Sequence, residues 1–174
     1  MDNDSIRSEV NEMQLPVRSR TTDPANMKGS SPSVDRLSDL VCRELIKRAT
    51  EMLKYSYAPY SGFKVGAALM AGNKKIYTGC NIENAAFGPS NCAERTAFFK
   101  AVSEGEREFD AIAIVGGKDG KITDYCPPCG VCRQVMAEFC DPDAFFIILA
   151  KSEDEYWIYS LRDLFPMGFT PDKL

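Results

Sequence analysis

Apolar positions along the chain alternate between two periods. Leu37, Leu40, Val41, Leu45, Ala49, Met52 and Leu53 recur at helical spacing, which predicts an amphipathic helix over 36–55. Tyr57-Ala58-Pro59-Tyr60-Ser61-Gly62 reads as a loop. Residues 63–70 and 74–80 read as two strands joined by a turn at Ala71-Gly72-Asn73. A helix is expected over 92–104, closed by Gly105. A buried strand follows at 110–116, then a helix over 129–140 that ends before Asp141-Pro142. Segments 145–150 and 156–160 read as strands, and a short helix at 161–165 stops at Pro166.

The order α-β-β-α-β-α-β-β-α favours an α/β fold. The hairpin pairs antiparallel, and the later strand-helix-strand unit favours a parallel, right-handed crossover. Together they predict a three-layer α/β/α sandwich around a mixed five-stranded sheet. Residues 1–36 differ: they hold eight Ser/Thr and three Pro, six acidic and five basic residues, and no aromatic or Cys. Such a segment buries too little apolar surface to offset its conformational entropy, so a disordered tail is expected, followed by one domain over 37–174.

Composition narrows the chemistry. The chain of 174 residues has seven Cys and no His, which excludes a Ser-His-Asp triad, a Cys-His dyad and a His general base. Any metal must be held by thiolates or carboxylates. The net charge is −4, with the basic residues scattered, so nucleic-acid binding has no electrostatic support. The longest apolar run, 144–150, is far short of the roughly 20 residues of a membrane span. The N-terminus MDNDSIRSEV lacks the basic start and apolar stretch of a signal peptide. A cytoplasmic protein with reduced thiols is expected.

Two segments carry the candidate chemistry: Cys92-Ala93-Glu94 and Pro128-Cys129-Gly130-Val131-Cys132. Each falls at a predicted helix start, where unpaired N–H groups and the helix dipole favour thiolates. Three thiolates suit Zn²⁺, and a site with three protein ligands leaves one position for water, whose pKa the metal lowers. Glu94, at the same helix end, is a candidate general acid/base. Arg95 is the nearest formal cation in sequence to offset the thiolate charge. Other readings stand beside this one. Asn91 and Glu94 fit a capping box. Cys129 and Cys132 fit a redox pair. Cys126, Cys129 and Cys132 fit the start of an iron–sulfur run or, with Cys92, a closed four-thiolate zinc site.

Cys-Ala-Glu followed by Pro-Cys-x-x-Cys resembles the signature of zinc-dependent nucleoside and base deaminases. The likeness is wider than the motif. Tyr57-Ala58-Pro59-Tyr60-Ser61-Gly62-Phe63-Lys64-Val65-Gly66 resembles the first strand of the small cytidine deaminases and its preceding loop. Gly79-Cys80-Asn81-Ile82-Glu83-Asn84-Ala85-Ala86 resembles their substrate-binding segment. The resemblance, over about 37–170, implies hydrolytic deamination of cytidine and deoxycytidine, with one Zn²⁺ per subunit on Cys92, Cys129 and Cys132 and proton transfer by Glu94. It implies that Asn81 and Glu83 hold the ribose, that Phe63 packs on the base, and that backbone at Ala85 and Ala93 reads the base edge. Ala86 and Phe87 complete the expected contacts, with Arg95 balancing charge. It further implies a homotetramer with shared sites, Phe169 being the residue donated to a neighbour. Departures from the family pattern are Phe87 in place of Tyr, Phe98 in place of an aliphatic residue, and the unusual Tyr125-Cys126-Pro127.

Overall fold

A computed structural model describes residues 37–173. The tail expected over 1–36 lies outside the described residues. Helix α1 (Asp39–Glu51) begins at Ser38, whose hydroxyl accepts the Val41 N–H, and tightens into a 3-10 turn at Met52–Tyr55. Strands β1 (Phe63–Ala71) and β2 (Ile76–Cys80) form the expected hairpin. Helix α2 (Ala93–Ser103), strand β3 (Phe109–Lys118), helix α3 (Gly130–Phe139), strands β4 (Phe146–Ala150) and β5 (Tyr156–Ser160), and the short helix α4 (Leu161–Leu164) follow. The start of β2 is two residues later than the apolar pattern placed it, because the turn at 72–74 uses Lys74 with φ +69°.

The sheet order is β2-β1-β3-β4-β5. Only β3 and β4 run parallel; the other three pairs are antiparallel. Period-two alternation sorts the strand residues between two cores. Ala68, Met70, Ala111, Ala113, Phe146 and Ile148 pack with Leu45, Ile46 and Ala49 of α1 on one face. Ala67, Leu69, Ile112, Ile114, Ile147 and Leu149 pack with Ala97, Phe98 and Met136 of α2 and α3 on the other. Covered on both faces, β3 is apolar from Ala111 to Val115 and β4 throughout, which explains the unbroken run at 144–150. Phe98 fills its core among the rings of Phe109, Phe139 and Phe145. The expected three-layer α/β/α architecture is therefore present.

The sheet also sets where α2 begins. Gly79, on β2, faces this helix so closely that a Cβ would lie 2.3 Å from the Ala93 carbonyl oxygen and 2.6 Å from the Ala97 nitrogen. Without a side chain there, the first turn of α2 presses directly on β2.

Candidate metal and catalytic centre

The two cysteine segments meet because α2 and α3 start side by side on the same face of the sheet. Cys92 is the N-cap residue of α2 and Cys129 that of α3; neither helix start has a side-chain cap. The Sγ atoms of Cys92 and Cys129 are 3.9 Å apart, and those of Cys129 and Cys132 are 3.4 Å apart. All three sulfurs lie within 4.8 Å of one another. Two thiolates on a tetrahedral zinc, each at about 2.3 Å, are about 3.8 Å apart, close to the sulfur separations in this cluster. Cys132 is buried, Cys92 half-buried and Cys129 exposed, which leaves the cluster open on one side.

Three adjacent sulfurs compete for protons. A hydrogen bond from Cys132, aided by Arg95 Nη2 at 3.6 Å, lowers the Cys92 thiol to about 5. The same hydrogen bond pushes Cys132 up. Arg95 also donates to the Ser90 carbonyl, which holds its guanidinium beside Cys92.

Glu94 is 4% exposed. Burial raises its carboxyl to about 7, and the charge of Cys92 pushes in the same direction. A carboxyl in that range holds or releases a proton near neutrality, as an acid/base group must. The capping-box reading of Glu94 fails on geometry. The N-cap is Cys92, so Glu94 is at the second helical position and not the third, and Asn91 Nδ2 donates instead to Thr96 Oγ1 at 3.1 Å.

Cys126 does not belong to the sulfur cluster. It packs half-buried against the α2–α3 core, and burial raises its thiol to about 12. Neither the iron–sulfur run nor the four-thiolate site is assembled, since both require Cys126. A two-sulfur redox pair is likewise a poor description, since Cys92 stands as the third sulfur beside Cys129.

The remaining candidate residues divide. Phe63 is 41% exposed, which excludes it from the core, and the pairing of β1 with β3 places it on the α2–α3 face of the sheet. Asn81 is tied to the start of β1 and the loop before it: Oδ1 accepts from Val65 N and Ser56 Oγ, and Nδ2 donates to the Phe63 carbonyl. Glu83 Oε2 accepts from the backbone N–H groups of Tyr60 and Ser61; a hydrogen bond with the Ser61 side chain, aided by these two, lowers its carboxyl. Ala85 and Ala86 are exposed in a turn closed by Asn84 and Ser90. Phe87 is 76% exposed with φ +52°. Ala93 is fully buried at the start of α2. Phe169 is 58% exposed, and its carbonyl accepts from Gln134 Nε2 on α3 of the same chain. Sequence reasoning passed over Arg133. Its Nε donates to the Pro128 carbonyl and its Nη1 to that of Leu164, tying the Cys129 segment to α4. An Arg in a helix carries no signal of that kind, because its partners lie in other segments.

Comparison with known proteins agrees with this centre. The family described as the cytidine and deoxycytidylate deaminase zinc-binding region matches residues 41–148. The chain belongs to that family. It is 54% identical over 131 residues to a cytidine deaminase of Sporosarcina psychrophila, covering 75% of this chain and 93% of the relative. It is 44% identical over 130 residues to a cytidine deaminase of Halalkalibacterium halodurans, covering 75% and 95%. Among solved structures it resembles a cytidine deaminase from Burkholderia pseudomallei, with a TM-score of 0.66 and 44% identity over 72% of this chain and 97% of that one. The zinc-binding region of the family coincides with the stretch that brings Cys92, Cys129 and Cys132 together.

Proposed function

We propose that this chain hydrolyses the exocyclic C–N bond of cytidine and 2′-deoxycytidine, consuming water and releasing ammonia with uridine or 2′-deoxyuridine. The observation that carries the reading is a buried carboxyl, Glu94, one residue inside the helix whose N-cap sulfur belongs to a three-thiol cluster. Cys92, Cys129 and Cys132 hold one zinc ion per subunit, which supplies the Lewis acidity that makes water a nucleophile near neutral pH. Glu94 takes a proton from the attacking water and delivers it to the ring nitrogen beside the reacting carbon. It then carries a proton to the departing amine. Arg95 offsets the thiolate charge from 3.6 Å. Phe63 stacks on the base, backbone at Ala85, Ala86 and Ala93 borders its edge, and Phe87 shields it from solvent. Asn81 and Glu83 meet the ribose hydroxyls while keeping the loop before β1 in place. These roles belong to a single catalytic domain over 37–174.

The subunits assemble as a homotetramer in which Phe169 reaches a neighbour's site. Exposed Tyr57, Tyr60, Phe87 and Phe169 support such association, since exposed aromatic surface favours burial. A ligand set of three free thiols suits a reducing compartment, which supports a cytoplasmic enzyme acting in pyrimidine salvage.

The test compares cytidine, deoxycytidine, cytosine and adenosine by absorbance. Turnover of the two cytosine nucleosides, with little on the free base or on adenosine, is expected. Zinc-loaded protein that leaves both cytosine nucleosides unchanged overturns the reading. Light scattering during dilution, run beside the assay, checks whether activity falls as the tetramer dissociates.

A further inference from the structure

Gly116 lies near the end of β3, opposite Val65, so its side-chain position falls on the α2–α3 face shared with Phe63. A Cβ there would lie 2.9 Å from Cys126 Sγ, closer than such atoms approach in folded proteins. It would lie 3.2 Å from Phe63 Cε1 and 3.2 Å from the Lys64 carbonyl oxygen. The space that Gly116 leaves open is therefore where the thiol of Cys126 and the ring edge of Phe63 converge. Cys126 stands outside the sulfur cluster, and Phe63 is too exposed to serve the core.

The segment bearing Cys126 has little room to retreat. On one side Tyr125 stacks on Trp157, with ring centroids 3.9 Å apart and planes inclined by 19°. On the other, Pro127 and Pro128 lead directly to Cys129, and Arg133 holds the Pro128 carbonyl at 2.8 Å. Adding bulk at Gly116 forces movement of the stacked aromatic pair, of the metal-binding segment or of the Phe63 ring. The ring is the least confined of the three, being bounded by solvent on its outer side.

We propose that Gly116 and Cys126 form a size-matched pair that positions the Phe63 ring and so sets the width of the slot that receives the pyrimidine. The proposal rests on the deaminase reading, in which Phe63 contacts the base. The pair acts through Phe63 and takes no part in proton transfer. Its signature is a change in KM with kcat nearly intact.

The experiment uses the zinc-loaded full chain and four variants: Gly116→Ala, Cys126→Ala, the double variant and Cys126→Val. Steady-state kinetics on cytidine, zinc content, thermal melting and Trp157 fluorescence are measured on each. Gly116→Ala is expected to raise KM about tenfold and change kcat less than about twofold. In the double variant the sulfur that met the new Cβ is gone, so KM returns to within about threefold of wild type, a non-additive rescue. The chain has one Trp, stacked beside Tyr125, so its emission reports whether the Cys126 segment moves. That emission stays at its wild-type position in Gly116→Ala, since the Phe63 ring and not the Cys126 segment gives way; a shift there would move the effect from Phe63 to the metal-binding segment and overturn the proposal. Cys126→Val adds bulk from the opposite side and raises KM even if Gly116→Ala does not fold. Unchanged KM in the folded variants, additive effects in the double variant, or loss of kcat at normal KM each overturns the proposal. A zinc-loaded wild type without turnover sinks the deaminase reading and this pair's role with it. An active wild type with flat KM across the variants sinks this role alone.

Discussion

The side-chain amide of Asn81 donates from Nδ2 to the Phe63 carbonyl at 2.8 Å, while its Oδ1 accepts the Val65 N–H at 2.8 Å. One side chain thus continues the hydrogen bonding of β2 past its end and holds the first residues of β1 in line. Asn81→Asp keeps the shape and the acceptor but removes the donor, leaving the Phe63 carbonyl facing a carboxylate. A loss of about 1–3 kcal/mol in urea unfolding is expected, with a raised KM for cytidine. Asn81→Asp with wild-type stability and KM would contradict the bracing role.

Gly79→Ala tests how α2 is seated. Its Cβ meets the Ala93 carbonyl oxygen, a backbone atom with no rotamer to escape into. Overpacking of this kind costs about 1–3 kcal/mol, and the shift falls on the turn that carries Cys92 and Glu94. Lower thermal stability together with weaker zinc retention during dialysis is expected.

Glu94→Gln separates proton transfer from metal binding. The amide has nearly the same volume and does not carry the charge that burial opposes. The variant is expected to fold, to retain zinc by metal analysis, and to lose about 10²-fold to 10⁴-fold in kcat.

Cys92→Ser and Cys132→Ser should lose zinc, and turnover with it, while Cys126→Ser retains a full complement. A chelator should inactivate the wild-type protein, and added Zn²⁺ should restore it. Metal analysis of the three variants decides the ligand set; zinc loss from Cys126→Ser would reinstate a four-thiolate site.

Asp39 links α1 to β5, accepting from Tyr156 Oη and from Arg43 Nε. The Tyr156 hydrogen bond, then that of Arg43, holds its carboxyl below the ordinary carboxylate value. A depressed folded-state value means that the unfolded chain binds the proton first as pH falls. The contribution is therefore complete above about pH 3.9 and disappears as pH drops through the lower folded value. Because the carboxylate is 49% exposed, solvent limits it to about 1 kcal/mol. The gap in melting temperature between wild type and Asp39→Asn should be steady from neutral pH to about pH 4 and close below it.

Most of the fold was legible because its pattern is local. The helical spacing from Leu37 to Leu53, the alternation on both sides of the turn at 72–74 and the unbroken run at 144–150 each announce an element from its own residues. The chemistry was legible for a related reason: Cys92, Glu94, Cys129 and Cys132 lie in two short motifs at helix starts. With no His in the chain, sulfur was the only soft metal donor left to consider. Other features depended on neighbours distant in sequence. Nothing around Cys126 says that its thiol turns toward Gly116 and not toward the other sulfurs. Asn81 and Glu83 look like free polar side chains until the loop at 56–61 and the first residues of β1 pack against them. Sequence alone determined the elements, their order and the kind of chemistry, because period, turn residues and donor type are properties of short segments. Tertiary structure decided that Cys126 stays outside the centre formed by Cys92, Cys129 and Cys132, and which glycines let α2 and Phe63 take their places, because these are distances between segments.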